Sequence, residues 1–92
     1  LLLKRSDEAG VIDQLEKTIE LLSSIEDWQT ESIEKVMRSI QEKHDWHRGQ
    51  FFMMIRLAVT GRKATPPLFE TMDVLGKEKV LARLKKAIAQ IS

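Results

Sequence analysis

Arg56 is the residue whose surroundings most clearly require a chemical explanation. It is the one cation in the stretch FFMMIRLAV at residues 51–59, which is apolar on nearly every side. Burying a guanidinium without partners is costly, so Arg56 must reach a carboxylate, backbone carbonyls or the surface. A structural ion pair with Glu70 or Asp73 is one explanation. The other is a groove in which Arg56 meets an anionic group or a nucleic-acid base.

The segment after Arg56 carries groups suited to binding phosphate. Arg62 and Lys63 precede Thr65-Pro66, a pair that indicates a helix start because threonine caps helices and proline lacks only an N–H that would be orphaned. Helix N-termini favour phosphates through their N–H groups and dipole. The segment therefore supports the groove explanation of Arg56, although Pro66 removes one of those N–H groups.

The other polar clusters do not indicate an enzyme site. His44 and His47 lie three residues apart near a predicted helix end, but a structural zinc site needs four well-placed ligands, so we prefer a solvated turn. Carboxylate pairs such as Asp7-Glu8 lie in charged stretches without the burial that catalytic acids need. The sequence has no serine nucleophile motif and no phosphate-binding loop. We predict no catalytic residue, metal or cofactor in this chain.

Aromatic and thioether side chains offer a second route to nucleic acid. The run FFMM at residues 51–54 could stack on unpaired bases, but such runs more often form core, and core is the interpretation that we prefer. Trp28 and Trp46 are either half-exposed base contacts or packing anchors between helices.

Charge is distributed unevenly along the 92 residues. Residues 1–46 have a net charge of −5 and residues 47–92 a net charge of +6, within an overall +1. A basic half can attract a polyanion even when the whole chain is nearly neutral, although two solvated faces would look the same. There are no cysteines, which fits a reducing cytoplasm, and no apolar run approaches the length that spans a bilayer.

Helical periodicity accounts for the whole chain, which we interpret as one all-α domain over residues 1–92, a compact bundle of about five helices. The third helix is apolar almost all round, so we expect it to be the central one, with the others packed around it. Thr30 is the expected N-cap of the second helix. The predicted helices cover residues 7–25, 30–44, 50–60, 66–75 and 77–90.

Their predicted core is a set of apolar residues that recur three or four apart. In the first two helices these are Val11, Ile12, Leu15, Ile19, Leu21, Leu22, Ile25, Ile33, Val36, Met37 and Ile40. In the last two they are Leu68, Phe69, Met72, Leu75, Val80, Leu81, Leu84, Ile88 and Ile91.

Residues 51–88 also resemble a known family. An Arg-x-Ala-x-Thr-Gly segment begins at Arg56, a Pro-x-Leu-Phe-Glu helix at Pro66, a Leu-Gly-Lys-Glu segment at Leu75 and an Arg-Leu pair at Arg83. In this order and spacing the segments resemble the end of bacterial-type glutamyl-tRNA synthetases, which are class I aminoacyl-tRNA synthetases. Residues 28–30 also resemble the family, whereas residues 1–26 fit only loosely.

The resemblance implies an anticodon-binding domain that holds the anticodon arm of glutamate tRNA. Carried onto this chain, the residues that face the anticodon bases are Arg56, Thr65, Pro66 and Leu68. Our own assignment adds Arg62 and Lys63 as phosphate contacts, which position a nucleic acid without specifying its sequence. The expected partners are tRNA and the catalytic domain of the parent enzyme, with neither DNA nor a membrane.

The catalytic motifs of that family, His-Ile-Gly-His-like and Lys-Met-Ser-Lys-Ser-like, are absent from the sequence. The chain is therefore expected to be a C-terminal fragment that catalyses nothing by itself. The resemblance implies that the parent joins glutamate to tRNA in the cytoplasm, using ATP and magnesium. The alternative hypothesis is a helical protein-interaction module without RNA binding, in which the acidic first half would dock a basic partner.

Overall fold

The computed structural model of the protein describes residues 5–62 and 67–91. Five α-helices form the regular structure of these residues. They are α1 (Arg5–Ser23), α2 (Thr30–Lys43), α3 (Arg48–Thr60), α4 (Leu68–Leu75) and α5 (Lys77–Ile91). Those residues contain no strand, so the all-α prediction is confirmed. None of these helices is both long enough and apolar enough to cross a membrane.

The first helix ends two residues earlier than its apolar pattern predicts. Backbone N–H groups of Ser24 and Ile25 donate to carbonyls only three residues back, those of Leu21 and Leu22, at 3.2 and 3.1 Å. Such short-range bonds tighten and terminate the last turn of a helix. Ile25 is nevertheless buried, so its apolar character reflects the core rather than helix.

The fourth helix begins at Leu68, two residues later than predicted. Pro67 is its N-cap and has a ψ of 131°, which is extended rather than helical, so the helix begins after it. The predicted first residue of this helix, Pro66, lies outside the described residues. The predicted cap, Thr65, lies outside the described residues.

Each helix contributes one stripe of apolar residues to the core. Its buried members are Leu15, Leu22, Ile25, Ile33, Met37, Ile40, Phe51, Met54, Ile55, Val59, Leu68, Met72, Val80 and Leu84. Leu21 was wrongly assigned to this core: it is 37% exposed. It lies about 100° around α1 from Leu22, beyond the arc that the other helices cover. On that flank Thr18 is buried instead, and its hydroxyl donates to the Gln14 carbonyl at 2.7 Å.

The centre of the packing is α5 and not, as predicted, α3. The last helix packs against α1, α3 and α4, whereas the main neighbour of α3 is α5. Residues 51–60 of α3 are all buried or half-buried, as their composition predicts. However, one face of α3 borders an open cleft, so this helix cannot be surrounded on all sides.

An interhelical clamp joins residues 25–30, between α1 and α2, to residues 72–77, where α4 meets α5. Its donors lie on both sides. From the second segment, Lys77 Nζ donates to the Ile25 carbonyl at 2.7 Å. From the first segment, Trp28 Nε1 donates to the Met72 carbonyl at 3.0 Å, and the N–H and hydroxyl of Thr30 donate to Asp73 Oδ2 at 2.9 and 2.8 Å. The two sides of the clamp are distant in sequence, so it fixes α2 against α4 by tertiary contact.

The start of α2 differs from the prediction that Thr30 is its N-cap. Thr30 is the first helical residue and Gln29 is the N-cap, without a side-chain hydrogen bond of its own. The carboxylate of Asp73, on α4, performs the capping that we had assigned to Thr30. A carboxylate at this position satisfies an orphaned N–H and interacts favourably with the helix dipole.

Candidate nucleic-acid interface

A cleft of about 510 Å³ opens between α2, α3 and the first turn of α4. Its walls carry three arginines, two glutamates and two phenylalanines. The lining residues are Thr30, Glu34, Arg38, Arg48, Phe52, Arg56, Pro67, Leu68, Phe69 and Glu70. The combination of guanidinium groups with aromatic rings suits a ligand that has both negative charge and flat, polar-edged rings.

The wall formed by α3 carries Arg48, Phe52 and Arg56. These residues are spaced four apart, so they share one face of the helix. The helix is capped at its start by His47, whose Nδ1 accepts a hydrogen bond from the Gln50 N–H at 3.1 Å. The cap fixes the first turn and with it the position of Arg48 at the cleft's edge.

The wall formed by α2 presents Arg38 beside an aromatic pair. Glu34 accepts a hydrogen bond from Arg38 Nε at 2.8 Å, and the guanidinium carbon lies 5.7 Å from the centre of the Phe69 ring. Phe69 in turn meets Phe52 edge-on, with ring centroids 5.7 Å apart. The side chain of Arg38 remains 49% exposed, so its guanidinium is oriented while still accessible to a ligand.

The cleft's third side is the start of α4. Pro67 is exposed at the N-cap, and Leu68, Phe69 and Glu70 follow in the first turn. The first turn of an α-helix has N–H groups without intrahelical acceptors and the positive end of the dipole. This end of α4 therefore adds partial positive charge to a cleft that already holds three cations.

Two of the six predicted site residues meet in this cleft. Arg56 and Leu68 both line it, Arg56 being half-buried and Leu68 only 4% exposed. Leu68 thus belongs to the core and contributes little surface to a ligand. Arg62 is exposed just beyond the end of α3 and does not line the cleft. The remaining three, Lys63, Thr65 and Pro66, lie outside the described residues.

The carboxylates considered as partners of Arg56 occupy different places. Asp73 accepts both hydrogen bonds from Thr30 in the clamp. Glu70 is exposed and lines the cleft together with Arg56. Arg56 and Glu70 thus border the same cleft.

Three residues that line the cleft, Arg38, Arg48 and Phe69, were not predicted as candidate site residues. The signal that could have found the first two is their spacing: Arg38 lies eight residues after Thr30, and Arg48 eight before Arg56. Residues spaced four and eight apart share a helix face, so each pair marks one wall. Phe69 was instead assigned to the core by its place in the apolar pattern of α4.

The other candidates have structural roles. His44 stacks on Trp46 at 4.7 Å between ring centroids, and Trp46 packs against Phe51 at 5.0 Å. Trp28 belongs to the clamp, so both tryptophans are packing anchors. In the run FFMM, Phe51 and Met54 belong to the core, which is the interpretation that we preferred, whereas Phe52 lines the cleft. The described residues contain no group of three or more potential metal ligands.

The chain is similar to known proteins over nearly its whole length. Residues 2–88 match the family described as anticodon binding domain. The chain is 38% identical over 92 residues, 100% of its length, to a glutamate–tRNA ligase of Roseiflexus sp. (strain RS-1), of which it covers 18%. It is 37% identical over 91 residues, or 99% of the chain, to a glutamate–tRNA ligase of Chloroflexus aurantiacus, again covering 18%.

A third relative shows a higher identity over a shorter alignment. The chain is 43% identical over 76 residues, 83% of its length, to glutamate–tRNA ligase 2 of Thermosipho melanesiensis, of which it covers 16%. The chain thus spans less than a fifth of the length of the curated relatives it matches. Since the family match runs over nearly the whole chain and includes every residue of the cleft, the chain belongs to the anticodon binding domain family.

Proposed function

We propose that this chain binds the anticodon arm of a glutamate tRNA as one domain of a glutamate–tRNA ligase. The observation that carries the proposal is the cleft, which Arg38, Arg48 and Arg56 line together with the rings of Phe52 and Phe69. Anticodon bases are unstacked and splayed, so their edges can accept hydrogen bonds from arginine while their faces stack on aromatic rings.

Within the cleft, Arg56 has the central role in this proposal. The guanidinium is a planar fork of N–H donors, which can bond two acceptors on the edge of one base. Phe52 lies one turn before it on the same face and would support a base by stacking. By family resemblance, Thr65, Pro66 and Leu68 complete the base-facing set, with Leu68 exposing only a small part of its surface.

The phosphates of the anticodon loop belong in this proposal to Arg62 and Lys63. Arg62 is exposed and follows the left-handed turn at Gly61, which has a φ of 75° and ends α3. Contacts to phosphate fix the register of a nucleic acid, whereas contacts to bases carry the sequence information. Recognition would therefore divide between the cleft and the turn beyond it.

The parent ligase, in this proposal, carries out its chemistry elsewhere. A separate catalytic domain of the same enzyme would join glutamate to tRNA with ATP and magnesium, in the cytoplasm. This chain contributes the identity check at the far end of the tRNA and no catalytic group. Attachment at two sites would allow a small domain to act even with modest affinity of its own, because linked contacts strengthen each other.

The proposal is tested by titrating the 92-residue chain with a glutamate anticodon stem-loop and with stem-loops carrying altered anticodons. We expect R56A to lower affinity for the cognate stem-loop by about 1–3 kcal/mol and to relax the preference for its anticodon. R56K keeps the charge but loses the planar fork, so it should restore overall affinity more than sequence preference.

Lys43→Ala provides the matched control. Lys43 is an exposed cation at the end of α2 and does not line the cleft. K43A should leave the anticodon preference intact. If the wild-type chain binds no stem-loop at low salt, or binds all anticodons equally, the proposal is wrong. Recovery of a protein partner that binds through the acidic first half would then support the interaction-module alternative.

A further inference from the structure

The outward face of α5 carries a row of cations that the cleft does not use. Lys79, Arg83 and Lys86 are spaced four and three residues apart, so they share one face of the helix, and all three are exposed. The buried residues of α5, Val80 and Leu84, follow Lys79 and Arg83 by one position each and so point about 100° around the helix from them. We refer to the three cations as the basic stripe.

The basic stripe has no acidic residue on its own face of the helix. The acidic residue of α5 is Glu78, which precedes Lys79 by one position and therefore points about 100° away. Like charges three or four residues apart on a helix repel each other. A helix that carries such a row is relieved of this repulsion when a polyanion binds along it, because the ligand supplies the missing negative charge.

The position of Arg83 connects the stripe to the cleft. Its Nη1 donates to the Val59 carbonyl at 2.6 Å, in the last turn of α3. Arg56, which lines the cleft, lies three residues before Val59, and the exposed Arg62 lies three residues after it. The stripe therefore passes the end of α3 at its middle residue, Arg83, and spans about 10 Å of α5 between Lys79 and Lys86.

We infer that the basic stripe binds the sugar–phosphate backbone of the anticodon stem while the cleft holds the loop. The inference rests on the proposed function. A strand that leaves the cleft over the end of α3 would meet Arg62 first and then the stripe. Because phosphates are the same at every position, these contacts would strengthen binding and orient the stem without reading sequence.

The test removes Lys79 and Lys86 and keeps Arg83, since Arg83 also holds the end of α3. Binding of the full chain to the glutamate anticodon stem-loop is measured over a range of salt concentrations. For K79Q/K86Q we expect the slope of log affinity against log salt to fall by about two, because two phosphate contacts are lost. Affinity at about 0.1 M salt should fall about tenfold, and equally for altered anticodons.

The matched control is K35Q/K43Q, which removes two exposed lysines from α2 that do not line the cleft. It lowers the net charge by the same amount, so its slope should stay close to that of the wild type. Circular dichroism melting of both variants establishes that they fold. If K79Q/K86Q has the slope of the control, or loses affinity only for some anticodons, the inference is overturned.

A second RNA separates this inference from the anticodon function. The same stem closed by an unrelated loop should bind weakly, with a salt dependence that K79Q/K86Q reduces and R56A does not. That result supports the stripe even if the chain proves indifferent to anticodon sequence. Conversely, anticodon-dependent binding of the wild type with no effect of K79Q/K86Q on either RNA leaves the cleft in place and rejects the stripe.

Discussion

Asp73 caps a helix that is remote from it in sequence: its Oδ2 accepts the Thr30 N–H at 2.9 Å and the Thr30 hydroxyl at 2.8 Å. Caps usually come from the residue just before the helix, which here is Gln29 and makes no side-chain cap bond. The stability of α2 therefore depends on the placement of α4.

We predict that Asp73→Ala lowers the free energy of unfolding by about 1 kcal/mol, a typical cost for the loss of a cap. The reason is that the Thr30 N–H loses its acceptor at a part-buried position. Chemical denaturation measures the change. Asp13→Ala is the control, because Asp13 forms an exposed pair with Lys17 on α1, and solvent screening leaves such pairs with little effect on stability. Equal losses in the two variants would contradict the tertiary cap.

Two glycines should respond to alanine with opposite signs. Gly61 has a φ of 75° at the end of α3. An L-residue is strained in that conformation, so G61A should destabilise by about 1 kcal/mol. Gly10 lies inside α1 and a Cβ there would meet nothing within 4 Å, so G10A should stabilise by about 0.5–1 kcal/mol. Thermal melts of the two variants provide the comparison. A Cβ at Gly61 would also meet nothing within 4 Å, so the difference would reflect backbone conformation alone.

Removing a negative charge from the cleft should strengthen RNA binding. We expect Glu34→Gln to raise affinity for the anticodon stem-loop several-fold at low salt, because it releases Arg38 from its ion pair and removes a repulsive charge. The pair is half-exposed, so solvent screening should keep the accompanying loss in folding stability small. Arg38→Gln should act in the opposite direction on affinity. Fluorescence anisotropy measures both, and a weaker complex with E34Q would argue against this wall as an RNA contact.

The cap of α3 can be improved. His47 uses Nδ1 to accept the Gln50 N–H at 3.1 Å, and His47→Ala should cost about 0.5–1 kcal/mol of stability. Aspartate is a stronger N-cap and places negative charge at the positive end of the helix, so His47→Asp should match or exceed the wild type. Denaturation midpoints of the two variants test this order, and a reversed order would show that the imidazole matters for reasons other than capping.

The positions of the helices could be predicted from the sequence because apolar periodicity and local caps are properties of neighbouring residues. Glycine at 61 and 76 ends α3 and α4, as predicted. The errors at Ile25 and Pro67 have local causes: a tightened last turn and the extended backbone of Pro67.

Contacts between helices that are distant in sequence could not be predicted in the same way. Nothing in the pattern of α4 shows that Asp73 will reach Thr30, or that Lys77 will reach the carbonyl of Ile25 at the far end of another connection. The same holds for the position of α5 at the centre of the packing. Arg56 was recognisable as a candidate site residue because a lone cation in an apolar run is an anomaly, and it lines the cleft. Arg38 and Arg48 lie among other polar residues, and only the assembled cleft distinguishes them.

The clamp limits the conformational entropy that the protein loses when a ligand binds in the cleft. It fastens the α2 wall to α4, and the Arg83 bond to the Val59 carbonyl fastens the end of the α3 wall to α5. A ligand that enters the cleft therefore meets walls whose backbones already hold their relative positions. Association then loses conformational entropy mainly in the arginine side chains and in the ligand itself, and a larger part of the contact energy remains available for discrimination between ligands.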